Sequence, residues 1–416
     1  MKRFALNFIC KNESHVILRM LESARPVTDL IVAVDTGSTD DTIAIIHSFS
    51  EKNNIPTYVF ERPFDNFGNS RNYALKKLKE TVETMQWDAG STWGFRMDCD
   101  ETLQFTEKFT RQSISSDLHS AFLHYKGYTK DSNSFRQLFY RVACDFAWEG
   151  PVHEHLTYDR VSTTTAKIQE LKIIREPIGA TWKENQEKKY LKWADQLKQF
   201  VEEGHRTSEW LLHIAESYNS AAYECGSEIR KREYFKEAQK YYEEITTLNI
   251  ETRDERYNAY QGIAYTKSLL DEDGDEVREA FLQAYSIDKR HAEPIFNIIQ
   301  TYIKSGQWQT AYLYSSFAIS NYHGNKPQDK DISQLEDDLY EWHLLLCHSI
   351  ICFHSRKIEE GKSSIAKLKM ILKMHPDNFK VTDRARIQST LIRLRFYRIM
   401  RSIKRIPGFS TRSIPA

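Results

Sequence analysis

The chain has no excess of charge of either sign: 58 Lys and Arg balance 58 Asp and Glu over 416 residues. Without net charge it lacks the long-range pull toward nucleic acid or anionic lipid that a basic protein exerts. Its six cysteines, Cys10, Cys99, Cys144, Cys225, Cys347 and Cys352, are scattered. They form no C-x-x-C pair and no close cluster with histidines, which argues against a zinc module or a disulfide framework and fits a reducing compartment. Long apolar runs are also missing, so no segment approaches the length of a membrane span. The opening stretch from Met1 to Cys10 has basic residues followed by an apolar patch that ends at Lys11-Asn12-Glu13. It is too short for a signal sequence and has no small-residue cleavage site, so it is expected to be the first strand of a cytoplasmic protein. Asn12-Glu13-Ser14 is formally a glycosylation sequon, without meaning in that setting.

What the chain does contain is enough residues for two or three domains, and a change of pattern near residue 185. Before it, strand-like runs (Phe4 to Cys10, Leu30 to Val34, Thr57 to Phe60, Thr92 to Met97, Ala121 to Tyr125) alternate with helical stretches such as Asp41 to Lys52 and Ser70 to Gln86. That alternation predicts βαβ units and a mostly parallel sheet. After it, helical periodicity dominates. Residues Ala292 to Tyr302, a turn at Gly306, and a second helix with small residues at Ala311 and Ala318 make a tetratricopeptide-like unit. Gly262, Tyr265, Phe281 and Ala284 suggest a preceding unit; Trp210, Ala238, Tyr242 and Ile245 an earlier one; Trp342 to Pro376 a later one. The aromatic stripe these create is read as packing. The expected division is a catalytic domain over 1–185, helical repeats over 186–380, and a basic helix and tail over 381–416.

Two runs in the first part carry chemistry. Gly94 to Met97 leads into Asp98-Cys99-Asp100-Glu101, a D-x-D pattern just beyond a strand. In an open α/β sheet ligands bind beyond the carboxyl ends of the strands. Paired carboxylates there can hold a hard divalent cation with positions left open for phosphate oxygens. Such a cation neutralises a diphosphate leaving group. The second run, Leu30 to Val34, ends in Asp35 and continues through Thr36-Gly37-Ser38-Thr39-Asp40-Asp41-Thr42. Asp35 is placed to accept from a base or ribose hydroxyl, Gly37 permits close backbone approach, and the Asp and Thr residues can cap a helix.

These segments, with Lys11-Asn12-Glu13, Asn69-Ser70-Arg71-Asn72-Tyr73-Ala74-Leu75 and Trp148-Glu149-Gly150-Pro151-Val152-His153-Glu154, resemble glycosyltransferase family 2. The last is similar to the W-x-G-x-V-H-E segment of a bacterial branch whose catalytic domain precedes tetratricopeptide-like helices. The resemblance covers residues 1 to 185 by motif and 186 to 380 by architecture. It implies a GT-A fold and an inverting transfer from a nucleoside-diphosphate sugar, with UDP as the expected nucleotide. Where many members carry a second acid to read uracil, this chain has Thr36. The resemblance further implies that Asn12, Glu13, Asp35, Arg71 and Asp98 bind the nucleotide sugar and that Asp100 coordinates Mn²⁺ or Mg²⁺. The acceptor it implies is a saccharide, a lipid-linked group or a peptide.

In the segment from Trp148 to His155, a regular strand would put His153 and His155 on one face and Glu154 on the other. Gly150-Pro151 makes an irregular backbone the alternative. His153 is assigned to the metal, since imidazole complements two carboxylates. Glu154 is assigned as the catalytic base, with Glu149 and Asp145 as rivals. Two other readings are a nucleotidyltransferase, which would normally show a Gly-rich basic signature where Lys11 to Ser14 stand, and a binding scaffold with an inactive transferase domain. The repeats are expected to offer a concave surface to the acceptor or to a second copy in a homodimer. From Arg384 onward nine Lys or Arg residues occur without an acid. They suit either a helix lying on an anionic membrane or a capping helix with a solvated basic face. No nucleic-acid partner is expected.

Overall fold

The β-branched run Leu30–Asp35 is buried along its whole length, as a strand covered on both faces must be. The computed structural model describes residues 2–126, 133–158, 164–250, 252–327, 335–374, 383–385 and 387–392. The chain divides into two compact units, Met1–Ala238 and Gln239–Ala416.

The first unit begins β1 (Arg3–Cys10), α1 (Ile17–Ala24), β2 (Leu30–Asp35), α2 (Thr42–Asn53), β3 (Thr57–Glu61), α3 (Phe67–Thr84) and β4 (Thr92–Arg96). There follow β5 (Glu101–Phe105), β6 (Ser120–Lys126), β7 (Asn133–Arg141), β8 (Ala147–Glu149), β9 (His155–Thr157) and β10 (Thr165–Arg175). Among the described residues the main sheet has eight strands in the order β3-β2-β1-β4-β7-β6-β10-β5, and β8 and β9 pair separately. The half from β3 to β4 is parallel. The other half is mixed, because β7 runs antiparallel to both β4 and β6, and β5 antiparallel to β10. The expected mostly parallel sheet is therefore correct for one half only.

Side-chain alternation along β1 builds two cores. Phe4, Leu6 and Phe8 face α1 and α2 through Met20, Leu21, Ile46 and Phe49. Ala5 faces α3, whose Leu75, Leu78 and Val82 cover Leu30 and Val32. Asn7 is buried on the α3 side and its amide is fully used. Nδ2 donates to the carbonyls of Val32 and Ala74, both at 3.1 Å, and Oδ1 accepts from Tyr140 Oη at 3.0 Å. This pins α3 to the sheet, and with it Arg71 one turn earlier. Helix α1 is amphipathic at the expected spacing, burying Ile17, Met20, Leu21 and Ala24. Of the Asp and Thr residues available to cap helix α2, Asp40 supplies the oxygen: its Oδ1 accepts from Thr42 N at 3.1 Å.

Strands give way to helices between Arg175 and Gln186, yet the first compact unit continues through α4 (Gln186–Glu202), α5 (Ser208–Glu224) and part of α6 (Glu228–Thr246). Trp210, grouped with the repeats on sequence, packs inside the first unit against Phe200, ring centroids 5.3 Å apart.

The second unit continues with α7 (Arg253–Leu269), α8 (Gly274–Ile287), α9 (Glu293–Lys304), α10 (Trp308–Tyr322), α11 (Leu344–His354) and α12 (Ile358–Met374). Ala311 and Ala318 are fully buried, as small residues at a close helix crossing should be. Gly262 likewise lets α7 approach Tyr242, where a Cβ would come within 2.4 Å of the ring. Tyr265, by contrast, lies on the exposed face. Most of the basic tail, including Arg386 and everything from Arg393, lies outside the described residues. Among the described residues no helix is long and apolar enough to cross a membrane.

Candidate active site

Strand order reverses on either side of β1 and β4, so their carboxyl ends open into the crevice where α/β sheets bind ligands. Lys11 to Glu13 leave β1 there, and Asp98 to Asp100 leave β4. Both segments line a cavity of about 1520 Å³, as do Arg71, Arg96, His153 and Glu154.

The floor of this cavity is a chain of alternating charges. Arg71 donates from Nε to Glu154 Oε1 at 2.6 Å and from Nη2 to Asp98 Oδ1 at 2.7 Å. Arg96 Nη2 reaches both oxygens of Asp98, at 2.9 and 2.8 Å. Burial by itself would raise the Asp98 carboxyl, but the guanidinium groups of Arg96, Arg71 and Arg175 hold it well below the usual range. The ring of Trp148 lies 5.6 Å from the Arg71 guanidinium and 5.5 Å from that of Arg96. Arg71 is almost fully buried, and its Nη1 has no partner in the protein. Arg71 as a whole contributes to the cavity wall.

Asp100 is less constrained. Its Oδ2 accepts from Arg175 Nε at 3.2 Å. Burial raises its pKa, Arg175 opposes this, and Asp98 adds to the rise. Glu13 accepts from Ala180 N at 3.1 Å, and burial raises it to about 7, against that hydrogen bond and with help from Asp100 and Asp98. A cation near these carboxylates would relieve their mutual repulsion. Oxygen donors suit Mg²⁺ or Mn²⁺, which commonly take one or two carboxylates and fill the rest of the shell from substrate phosphates. Asp100 fits that role. Both oxygens of Asp98 are already engaged by guanidinium donors.

His153 is on the same cavity wall, with ring partners of its own. Its backbone is left-handed, with φ of 55°, and follows Gly150 at φ 95°. The segment is thus a turn between β8 and β9, which is how His153 and Glu154 both reach the cavity wall. The imidazole stacks on His213 at 4.4 Å and meets Trp193 edge-on at 5.3 Å. Burial and His213 lower its pKa to about 4. Among the described residues, Asp98, Asp100 and His153 do not form a group of converging ligand atoms. In this structure the turn packs the His153 ring against Trp193 of α4 and His213 of α5.

Asp35 and Asn12 both hold the loop after β2, and Asn12 also lies on the cavity wall. Asp35 is 3% exposed, and its Oδ2 accepts from Gly37 N at 3.0 Å and Ser38 N at 2.9 Å. The carboxylate shapes its own turn, and Thr36 and Asp40 are the residues of that loop on the cavity wall. Asn12, at φ 55°, uses its carbonyl to accept from Thr39 N at 2.8 Å, tying the first motif to the second. Of the rivals to Glu154, Asp145 is fully exposed beside Lys79, and Glu149 is not on the cavity wall.

The hairpin bearing Glu154 is locked onto α3. Asn72 clamps the Trp148 backbone with 2.8 Å bonds from Nδ2 to the carbonyl and from the amide to Oδ1. Gly68 admits the Gly150 carbonyl, which would lie 2.2 Å from a Cβ.

Sequence reasoning missed Arg96, Arg175 and Lys189. Arg96 was signalled by a charge inside an apolar strand; the other two had no local signal. Lys189 is 6% exposed and lies 5.0, 4.6 and 5.1 Å from the rings of Trp182, Tyr190 and Trp193 on the cavity wall.

Residues 8–107 match the model of glycosyl transferase family 2. No curated protein matches the chain. Among solved structures, S. aureus TarS 1–349 in complex with UDP is 13% identical, with 77% of this chain and 92% of that chain covered and a TM-score of 0.32. MamA is 12% identical over 48% of this chain and 98% of that chain, with a TM-score of 0.35. At scores this low neither likeness carries an inference about this chain.

Proposed function

We propose that this chain, which carries a glycosyl transferase family 2 domain over residues 8–107, moves a sugar with inversion from a nucleoside-diphosphate donor to a saccharide, lipid-linked or peptide acceptor. One observation supports this above the others. The Glu154–Arg71–Asp98–Arg96 network and Asp100 lie together at the open ends of β1 and β4, on the wall of one large cavity.

The unpartnered Nη1 of Arg71 is a buried donor suited to a diphosphate oxygen, since guanidinium presents a fixed fork of donors. Asp98 keeps Arg71 and Arg96 in place. Mn²⁺ or Mg²⁺ held by Asp100 would supply charge neutralisation for the diphosphate leaving group. Glu154 takes the acceptor's proton as the acceptor atom bonds to the anomeric carbon and the carbon–oxygen bond to the diphosphate breaks. Because one displacement inverts the centre, no side-chain nucleophile is required. Trp182, Tyr190 and Trp193 offer apolar ring faces to sugar.

Calorimetry with UDP, with and without Mn²⁺, tests the reading, followed by a screen of nucleotide sugars for hydrolysis without acceptor. Metal-enhanced UDP binding and release of one sugar support it. Absence of binding to any nucleoside diphosphate overturns it.

A further inference from the structure

Three ligand-type atoms converge in the second unit, in a cluster independent of the transfer chemistry above. His348 Nε2 lies 3.0 Å from Glu360 Oε1 and 3.3 Å from Cys352 Sγ. All three donor atoms fall within 4.8 Å of one another, and among the described residues no other such group of His, Cys, Asp and Glu is found. His348 and Cys352 stand four apart on α11, so they share a face. Glu360 stands in the first turn of α12. Next to it, Gly361 lets α12 close on the thiol, because a Cβ there would come 3.0 Å from the Cys352 Cβ.

The outer sides of His348 and Glu360 are already held by α10. His348 Nδ1 is 2.8 Å from Ser315 Oγ, and that hydroxyl is 3.1 Å from the Tyr312 carbonyl. A serine has one hydroxyl hydrogen. With that hydrogen on the carbonyl, Oγ accepts from Nδ1–H, and the Nε2 lone pair faces a carboxylate oxygen and a thiol. Either a proton, such as that of the Cys352 thiol, or a metal ion can relieve that convergence. The second Glu360 oxygen, Oε2, accepts from Tyr312 Oη at 2.7 Å. Hydrogen bonds of this kind, to the far side of an imidazole and a carboxylate, orient metal ligands and fix the tautomer.

We propose that His348, Cys352 and Glu360 form a Zn²⁺ site. Imidazole nitrogen, thiolate and carboxylate are the ligands zinc takes, and three of them leave a fourth tetrahedral position for water. Bonds of about 2.0–2.3 Å place tetrahedral ligands roughly 3.3–3.8 Å apart, so the two pairs that share Nε2 have only to open by a few tenths of an ångström, while Sγ and Oε1 lie within 4.8 Å of each other. The soft thiolate selects against Mg²⁺ and Mn²⁺. On binding, the Cys352 S–H bond breaks, its proton leaves to solvent, and a sulfur–zinc bond replaces it. The Glu360 side chain is 44% exposed, which provides a way in for the ion. The scattered cysteines had argued against zinc, but the pattern here is one histidine and one cysteine on a helix, completed by a carboxylate from the next.

The test uses the full chain, stripped with chelator and titrated with Co²⁺ and then Zn²⁺. About one Co²⁺ should bind with a thiolate-to-cobalt charge-transfer band, which Zn²⁺ then abolishes. Cys352→Ser should lose the band. Glu360→Gln, at the exposed rim and least able to disturb folding, should bind at least about tenfold more weakly. Ser315→Ala and Tyr312→Phe should keep the band with roughly 10- to 100-fold weaker binding. No band in the wild type, a band that survives Cys352→Ser, or unchanged affinity in Glu360→Gln overturns the proposal.

Discussion

Arg71 Nε donates to Glu154 Oε1 at 2.6 Å, joining residues 83 positions apart. The bond connects two motifs, the start of α3 and the turn after β8, that sequence alone leaves unrelated. It also makes the proposed base and the proposed diphosphate-binding group parts of one buried array. Glu154→Gln keeps the size and an accepting oxygen but removes the carboxylate. The expected result is a fall in kcat of about 100- to 10,000-fold, the usual contribution of a positioned general base, with UDP affinity nearly unchanged. Steady-state kinetics beside UDP calorimetry check it, and an undiminished kcat removes Glu154 as the base.

Arg71→Ala should damage both folding and binding. It leaves Glu154 without its close partner and removes one of the two guanidinium groups hydrogen-bonded to Asp98. Breaking a buried pair from one side costs about 3–5 kcal/mol, so a clear loss of stability in urea denaturation is expected. Arg71→Lys should restore part of the stability but little of the diphosphate affinity, because an ammonium cannot reproduce the fork.

Asp100→Ala should abolish transfer and weaken diphosphate binding while leaving thermal stability nearly unchanged, since its one side-chain partner is Arg175 at 3.2 Å. His153→Ala should leave the metal dependence of UDP binding intact. Transfer that persists in excess chelator would rule out the metal at Asp100 without touching the fold.

Gly150→Ala should destabilise the hairpin. The residue sits at φ 95°, and an added methyl would come 2.3 Å from the Trp210 ring. Overpacking of this kind costs about 1–3 kcal/mol, before the cost of the left-handed backbone. Thermal denaturation measures the loss, and kcat should fall with it, since Glu154 is four residues on. A variant as stable and active as wild type would contradict the packing described.

A chain truncated at Glu184 should fail to hydrolyse any nucleotide sugar, because it lacks Lys189, Tyr190, Trp193 and His213 of the cavity wall. Truncation after α6 keeps these residues and should retain donor hydrolysis. Equal activity in both truncated chains would show that α4 and α5 do not complete the site.

The sequence by itself determined the elements whose signal is local. Short apolar runs placed β1, β2 and β4, and helical periodicity placed α3 and the α9–α10 pair. Acids just past strand ends pointed to the crevice because strand direction fixes where a chain emerges. Tertiary structure alone decided which way those acids turn. Asp35 bends back onto Gly37 and Ser38, Asp98 is surrounded by guanidinium groups, and Asp100 meets Arg175, 75 residues away. It also decided that β7 and β5 enter antiparallel, and that Trp210 falls within the first compact unit. Local backbone preference acts over a few residues and is written in composition and period. Charge pairing and ring packing depend on which surfaces meet when distant segments fold together, and no spacing along the chain records that.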